Sequence, residues 1–197
     1  MAPVLRRYAA AGISALVLTL VYMYSGERAP PPLPPELADE PDIYMEGATI
    51  TRYGADGGVR YRLRADRIKQ FEERSVTYFE NPVIRLSQKS GPPWEANASR
   101  GEIRERVVDD VETEEHLLLR DNVELTRRHD DGRLFALTTA VLDVYPARQF
   151  ARTDQAVMIE TSGSKTTASG FEADMDRGWM KLLSGPGRQV HGVIEPD

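Results

Sequence analysis

The chain has 197 residues, 41% hydrophobic and 28% charged, the composition of a folding domain with room for a real core. A formal net charge of −6 argues against a basic nucleic-acid face or a polybasic membrane patch. With no cysteine, disulfides, thiolate catalysis and cysteine-held metals are excluded together.

The first element is apolar. Arg6 and Arg7 precede an uncharged run from Tyr8 to Gly26. As a helix, about 19 residues rise about 28 Å, close to the hydrocarbon thickness of a bilayer. Ile13, Leu16, Val17, Leu18, Leu20 and Val21 form its centre. A cleaved signal peptide calls for small residues at a cleavage site. Here Tyr22-Met23-Tyr24 follow, which suit a membrane interface. The run is therefore read as a retained anchor, its N-terminus cytoplasmic by the positive-inside rule and all that follows exported. Ala11, Gly12 and Ala15 would let a partner helix approach closely. Ala29 to Pro35 then reads Ala-Pro-Pro-Pro-Leu-Pro-Pro, which suits an extended spacer and neither a helix nor a central strand. The alternative is a ligand for a proline-binding domain. The organisation expected is an anchor over 1–26, a linker over 27–42 and a folded domain over 43–197.

From Ile43 onward alternation dominates, so the folded part is expected to be all-β. Tyr61, Leu63 and Ala65 share one face of a strand, with Arg62 and Arg64 on the other. Ile84 and Leu86, Val123 and Leu125, Phe135 and Leu137, Val157 and Ile159, and Phe171 and Ala173 repeat the rule. Such strands have one dry and one wet face. Asp56-Gly57-Gly58 and Asp130-Asp131-Gly132 read as hairpin loops. Asp121-Asn122 and Asp176-Arg177-Gly178 read as turns, and Gly91-Pro92-Pro93 as a break before Trp94. The segment from Glu102 to Leu119 is read as two strands, around Ile103 and around His116 to Leu119, joined by a charged excursion. A faint repeat runs through the domain, pairing a small-residue strand with a later turn and apolar strand. Its anchors are Ala65-Asp66 and Asn81-Pro82, Ala98-Ser99 and Asp121-Asn122, Thr139-Ala140 and Asp154-Gln155-Ala156, and Ala168-Ser169 and Ser184-Gly185. Hairpins repeated this way stack into an elongated structure with a continuous apolar interior.

Chemistry is sparse. His116, His129 and His191 lack metal-ligand spacing, and no nucleophile elbow or phosphate loop occurs. Asp56 and Asp131 read as turn residues. No cofactor and no catalytic set is expected. A two-sheet stack can instead splay and hold acyl chains between its sheets. Tyr61, Leu63, Leu86, Leu125, Leu137, Ile159 and Phe171 would line such a slot. On pattern alone, a closed core made of the same residues is the simpler reading. Met180-Lys181-Leu182-Leu183, followed by Arg188 to His191, could offer a free sheet edge for strand pairing with another protein.

The order of features resembles the LptC family of lipopolysaccharide-export proteins. The residues that carry the resemblance are Tyr44 to Ile50, Asp56-Gly57 before Tyr61 to Ala65, and Phe79-Glu80-Asn81-Pro82-Val83. Pro93-Trp94 with Ala96 and Ala98, Asn122-Val123, Leu137-Thr138-Thr139 and a late hairpin from Gly170 to Leu183 complete it. The long charged segment from Arg104 to Glu115 and the Pro186-Gly187 pair depart from it. The resemblance implies a twisted antiparallel β-jellyroll of the OstA-like kind behind one N-terminal transmembrane helix in the inner membrane. It implies receipt of lipopolysaccharide from the LptB–LptF–LptG transporter and delivery to periplasmic LptA. Ala48, Thr49 and Ile50 would then belong to the transporter-side edge. Met180, Leu182, Leu183 and Val190 would belong to the LptA-side edge, and Phe79 would face the lipid path. A non-transporting adaptor that bridges envelope proteins through its sheet edges is the alternative.

Overall fold

The computed structural model describes residues 40–108, 112–185 and 191–194. The anchor run with Ile13, Leu16, Val17, Leu18, Leu20 and Val21, the Pro-rich linker, Pro186-Gly187 and Val190 lie outside them. Among the described residues no helix is long and apolar enough to cross a membrane.

The described chain is all-β. Its strands are β1 (Ile43–Tyr53), β2 (Val59–Phe71), β3 (Val76–Glu80), β4 (Val83–Leu86), β5 (Trp94–Asn97), β6 (Arg100–Val108) and β7 (Glu112–Arg128). They continue with β8 (Leu134–Tyr145), β9 (Phe150–Thr153), β10 (Val157–Thr161), β11 (Ser164–Ala168), β12 (Gly170–Asp174), β13 (Trp179–Leu183) and β14 (His191–Ile194). One 3-10 turn, Pro146–Arg148, separates β8 from β9.

Four long strands bend midway and serve two layers. The second half of β2 pairs with β3, and its first half with β4. The first half of β7 pairs with β6, and its second half with β5. β8 pairs along its whole length with β7, then splits between β10 and β9. β1 follows β2 through the same bend. One layer therefore runs through β3, β6, β9, β12 and β13. The other runs through β4, β5, β10, β11 and β14. All pairings are antiparallel, as a twisted jellyroll requires.

The bends explain the repeat. Inward residues of β2 are Tyr61, Leu63 and Ala65, then Ile68; two exposed residues, Asp66 and Arg67, intervene. β7 differs: Leu117, Leu119, Val123 and Leu125 keep one parity, and Asp121-Asn122 bulge opposite Ala140 of β8. β8 runs Leu137, Thr139, then Leu142, Val144. Each slip keeps the apolar face inward while the strand passes from one layer to the other. Gly47 makes the bend in β1 with φ +56, a backbone that favours glycine. Asp121 and Asn122 make it in β7 with φ +63 and +52, where short polar side chains are tolerated. The bends are stitched to one another. Ser99 N–H donates to the Asp121 carbonyl at 2.8 Å, Asn81 N–H to the Ser99 carbonyl at 2.9 Å, and Asn81 Nδ2 to Asp66 at 2.9 Å. Farther along, Thr139 Oγ1 donates to the Ala156 carbonyl, and Gly185 N–H to Ser169 Oγ.

Two expectations change. Asp121-Asn122 is a bulge inside one long strand, because β7 continues through both layers. The charged Arg104 to Glu115 segment is largely paired strand, with Arg104 opposite His116 and Val108 opposite Glu112. Charge misled there because the partners lie outside the hairpin or along one strand: Glu105 and Glu115 meet Arg52, Glu114 meets Arg148, and Arg104 meets Glu102.

Candidate functional site

The interior is one apolar cluster reaching from Tyr61 and Ile103 to Phe171 and Met175. Tyr61, Leu63, Leu86, Leu125, Leu137 and Ile159 enter it from the second layer, and Phe79 and Phe171 from the first. All eight are buried; Ile159 is the most exposed, at 8%. The structure thus brings every slot candidate into a single closed core.

The two long sides of this core differ. On one side the backbone itself passes between layers at the bends. On the other side, among the described residues, only side chains join the hairpin ends of the two layers. Arg52, inward-facing at the end of β1, reaches the opposite layer. Its Nε meets Glu115 Oε1 at 2.8 Å and its Nη2 meets Glu105 Oε1 at 2.9 Å. Tyr61 Oη donates to Glu115 Oε2 at 3.2 Å. Gln88 donates to Gln149, and Lys89 Nζ meets Asp176 at 3.1 Å. These contacts form a polar seam along a mouth.

The seam is driest at Tyr61 and Glu115. Glu115 is a buried carboxylate. Burial holds the Tyr61 hydroxyl well above its ordinary value, and the Glu115 charge adds to this against the opposing Arg52. Burial also pulls the Arg52 guanidinium down. Glu115 outweighs that, with Tyr61 and Glu105, so its net direction is up. Arg52 is thereby held as a cation and the Tyr61 hydroxyl kept neutral. Just beside them is a recess of about 240 Å³ lined by Ile50, Phe71, Val76, Phe79 and Ile103. Arg52, Gln70, Glu72 and Glu105 also line it, so it is about half polar, and it lies beside β1. A larger cleft of about 530 Å³ separates the hairpin ends around Arg60, Lys89, Arg148 and Asp176. A further concavity of about 1140 Å³ lies along the bends, among Asn97, Asn122, Thr138, Thr139, Met158 and Ser169. Its size is no guide to access, since continuous backbone crosses between the layers there.

Both predicted edge segments fall on strands with one described neighbour. Ala48, Thr49 and Ile50 pair with Ala65, Arg64 and Leu63 on β2, and no strand among the described residues covers the outer side of β1. Ala48 and Ile50 pack partly against the core. Met180, Leu182 and Leu183 lie on β13, which pairs with β12 alone among the described residues. Met180 and Trp179 are exposed, while Leu182 packs against the core. No described group of three His, Asp or Glu residues could hold a metal.

Comparison with known families assigns residues 10–195 to "Lipopolysaccharide-assembly, LptC-related". The chain belongs to the LptC family. No curated protein matches it. Among solved structures it is similar to LptH of Pseudomonas aeruginosa, the LptA-homologous periplasmic component of the lipopolysaccharide transport device. That likeness has a TM-score of 0.54 at 10% identity, and covers 69% of this chain and 95% of LptH. It concerns the fold, and it matches the bent-strand jellyroll described above.

Sequence reasoning missed the mouth. Arg52 follows Ile50 in inward parity and Glu115 precedes Leu117 and Leu119 in inward parity. Charged residues on an apolar stripe were the available signal. Their pairing across 63 positions of sequence was not readable from either strand alone.

Proposed function

We propose that this LptC-family chain moves lipopolysaccharide from the inner membrane toward the outer membrane by holding its acyl chains between the two layers. The carrying observation is the asymmetry of the core: among the described residues, backbone joins the layers on one side, and side-chain pairs alone join them on the other. A mouth closed by hydrogen bonds and ion pairs opens without breaking any strand. Each CH₂ of an acyl chain then gains about 0.8 kcal/mol on entering the apolar interior. No catalysis is needed. In this reading the apolar run before Gly26 is a transmembrane anchor in the inner membrane. The free side of β1 takes lipid from the LptB–LptF–LptG transporter, and the β13 side passes it to LptA. The recess by Phe79 adjoins β1, where loading would begin.

The test exploits the cysteine-free sequence. Gln88 and Gln149 are replaced together by cysteine, and the pair is bridged by a short reducible crosslinker. The bridged protein should lose lipopolysaccharide binding, and reduction should restore it. Full binding by the bridged protein would overturn the mouth. A second reading, an adaptor that acts only through its strand edges, is favoured by the complete burial of the slot candidates. It predicts that bridging leaves function in cells intact.

A further inference from the structure

One row of inward residues borders the mouth on the second layer. Arg52 stands opposite Tyr61, Tyr61 opposite Leu86, and Leu86 opposite Trp94. The next strand supplies Arg127, whose guanidinium carbon lies 5.2 Å from the Trp94 ring centroid, and Arg127 stands opposite Phe135. Phe135 closes on Trp94 edge to face at 5.4 Å. The row therefore holds two arginines on an otherwise apolar and aromatic face. Their situations differ. Arg52 meets two carboxylates from the opposite layer. Arg127 meets none among the described residues.

Arg127 also has a buried Nε with no acceptor, and so does the Nε1 of Trp94, a residue only 2% exposed. Two neighbouring buried N–H donors without partners are rare in a folded protein, where such groups nearly always find an acceptor. The loop beside them carries Gly91 at φ +80, and a Cβ there would come within 3.2 Å of Arg127 Nη2. The spot combines a planar cation, an indole donor and an aromatic wall at the rim of an apolar slot. Guanidinium matches the oxygen geometry of a phosphoryl group, and such charge-assisted bonds are the strong ones.

We infer that Arg127 and Trp94 form a receptor for a phosphoryl group, carried by the lipid whose acyl chains lie in the slot. This rests on the transport reading. The acyl chains would enter the core while the phosphoryl group stays at the rim, supplying to Arg127 the anion that Glu105 and Glu115 supply to Arg52.

The test uses the full chain in detergent with Trp179→Phe, which leaves Trp94 as the only tryptophan. Its fluorescence is followed against phosphorylated lipid A, dephosphorylated lipid A and inorganic phosphate. The phosphorylated lipid should bind about tenfold more tightly than the dephosphorylated one. Arg127→Gln should abolish that difference while leaving dephosphorylated lipid binding unchanged, and Arg127→Lys should keep part of it. A response to inorganic phosphate alone, lost in Arg127→Gln, would place the same chemistry on free phosphate rather than on the lipid. Equal affinity for the two lipids in the parent chain, with no response to inorganic phosphate, would overturn the inference and leave the slot standing. Failure of all three ligands to bind would defeat the slot as well. The parent-chain comparison needs no substitution at Arg127, so a folding defect in the variants does not decide it.

Discussion

Replacing Glu115 by alanine separates the seam's electrostatics from its hydrogen bonding. Arg52 keeps Glu105 at 2.9 Å, and its side chain is 48% exposed, so water and the remaining carboxylate absorb most of its loss. Tyr61 has no such recourse. Its residue is fully buried, and Glu115 is the acceptor of its hydroxyl. An orphaned buried hydroxyl costs about 1–3 kcal/mol, and that sets the size of the effect. Removing the hydroxyl as well should cancel most of this cost. Tyr61→Phe in the Glu115→Ala background should therefore recover about 1–3 kcal/mol, whereas Tyr61→Phe in the parent chain costs about 1 kcal/mol. Urea unfolding followed by circular dichroism on the four proteins gives the cycle. A coupling of about 1 kcal/mol or more is expected. Costs that simply add, within about 0.5 kcal/mol, would refute the hydroxyl's dependence on Glu115.

Leu137→Ala should cost about 2–5 kcal/mol in the same assay, because Leu137 is fully buried against both β7 and β10. Gly170→Ala should also destabilise, by about 1–3 kcal/mol, since its Cβ would sit 2.8 Å from the Thr153 carbonyl oxygen, a backbone atom that cannot swing aside; unchanged stability would mean that β9 and β12 can part at that point. The Tyr61 hydroxyl titrates above its ordinary 10.0 in the folded chain, chiefly through burial. The folded form then keeps a proton that the unfolded chain releases, so this contribution is complete below about pH 10 and is lost as pH rises beyond it. Tyr61→Phe should therefore flatten the alkaline fall in stability relative to the parent chain, and an equally steep fall in both would contradict the assignment.

Much of the architecture was legible because alternation is a local signal. Tyr61-Arg62-Leu63-Arg64-Ala65 declares its inward face without help from the rest of the chain, and so does Phe135-Ala136-Leu137. The repeat was visible as small and polar anchors, yet its meaning was not. At Asp66-Arg67 the inward parity slips by one residue, which marks a strand changing layers, whereas Asp121-Asn122 looks like a turn because Leu119 and Val123 keep one parity on either side of it. Pattern alone left the lipid slot behind a closed core, and the family resemblance raised that slot to the favoured expectation. The seam lay beyond both. Arg52, Glu105 and Glu115 come from three strands, and their meeting depends on how the bent layers close. The unpaired state of Arg127 is likewise a property of its surroundings in space, since its own strand shows only an arginine at an inward position.

Photo-crosslinking in membranes tests whether lipid travels between the layers. A photoreactive residue is placed at Phe79 or at Leu137, both buried in the core, and at exposed Arg62 as a control. The slot predicts lipopolysaccharide adducts at the two inward positions and none at Arg62. A folded protein with intact partner binding and no adduct at any of the three would contradict it, leaving a closed core that serves only to hold two sheet edges in place.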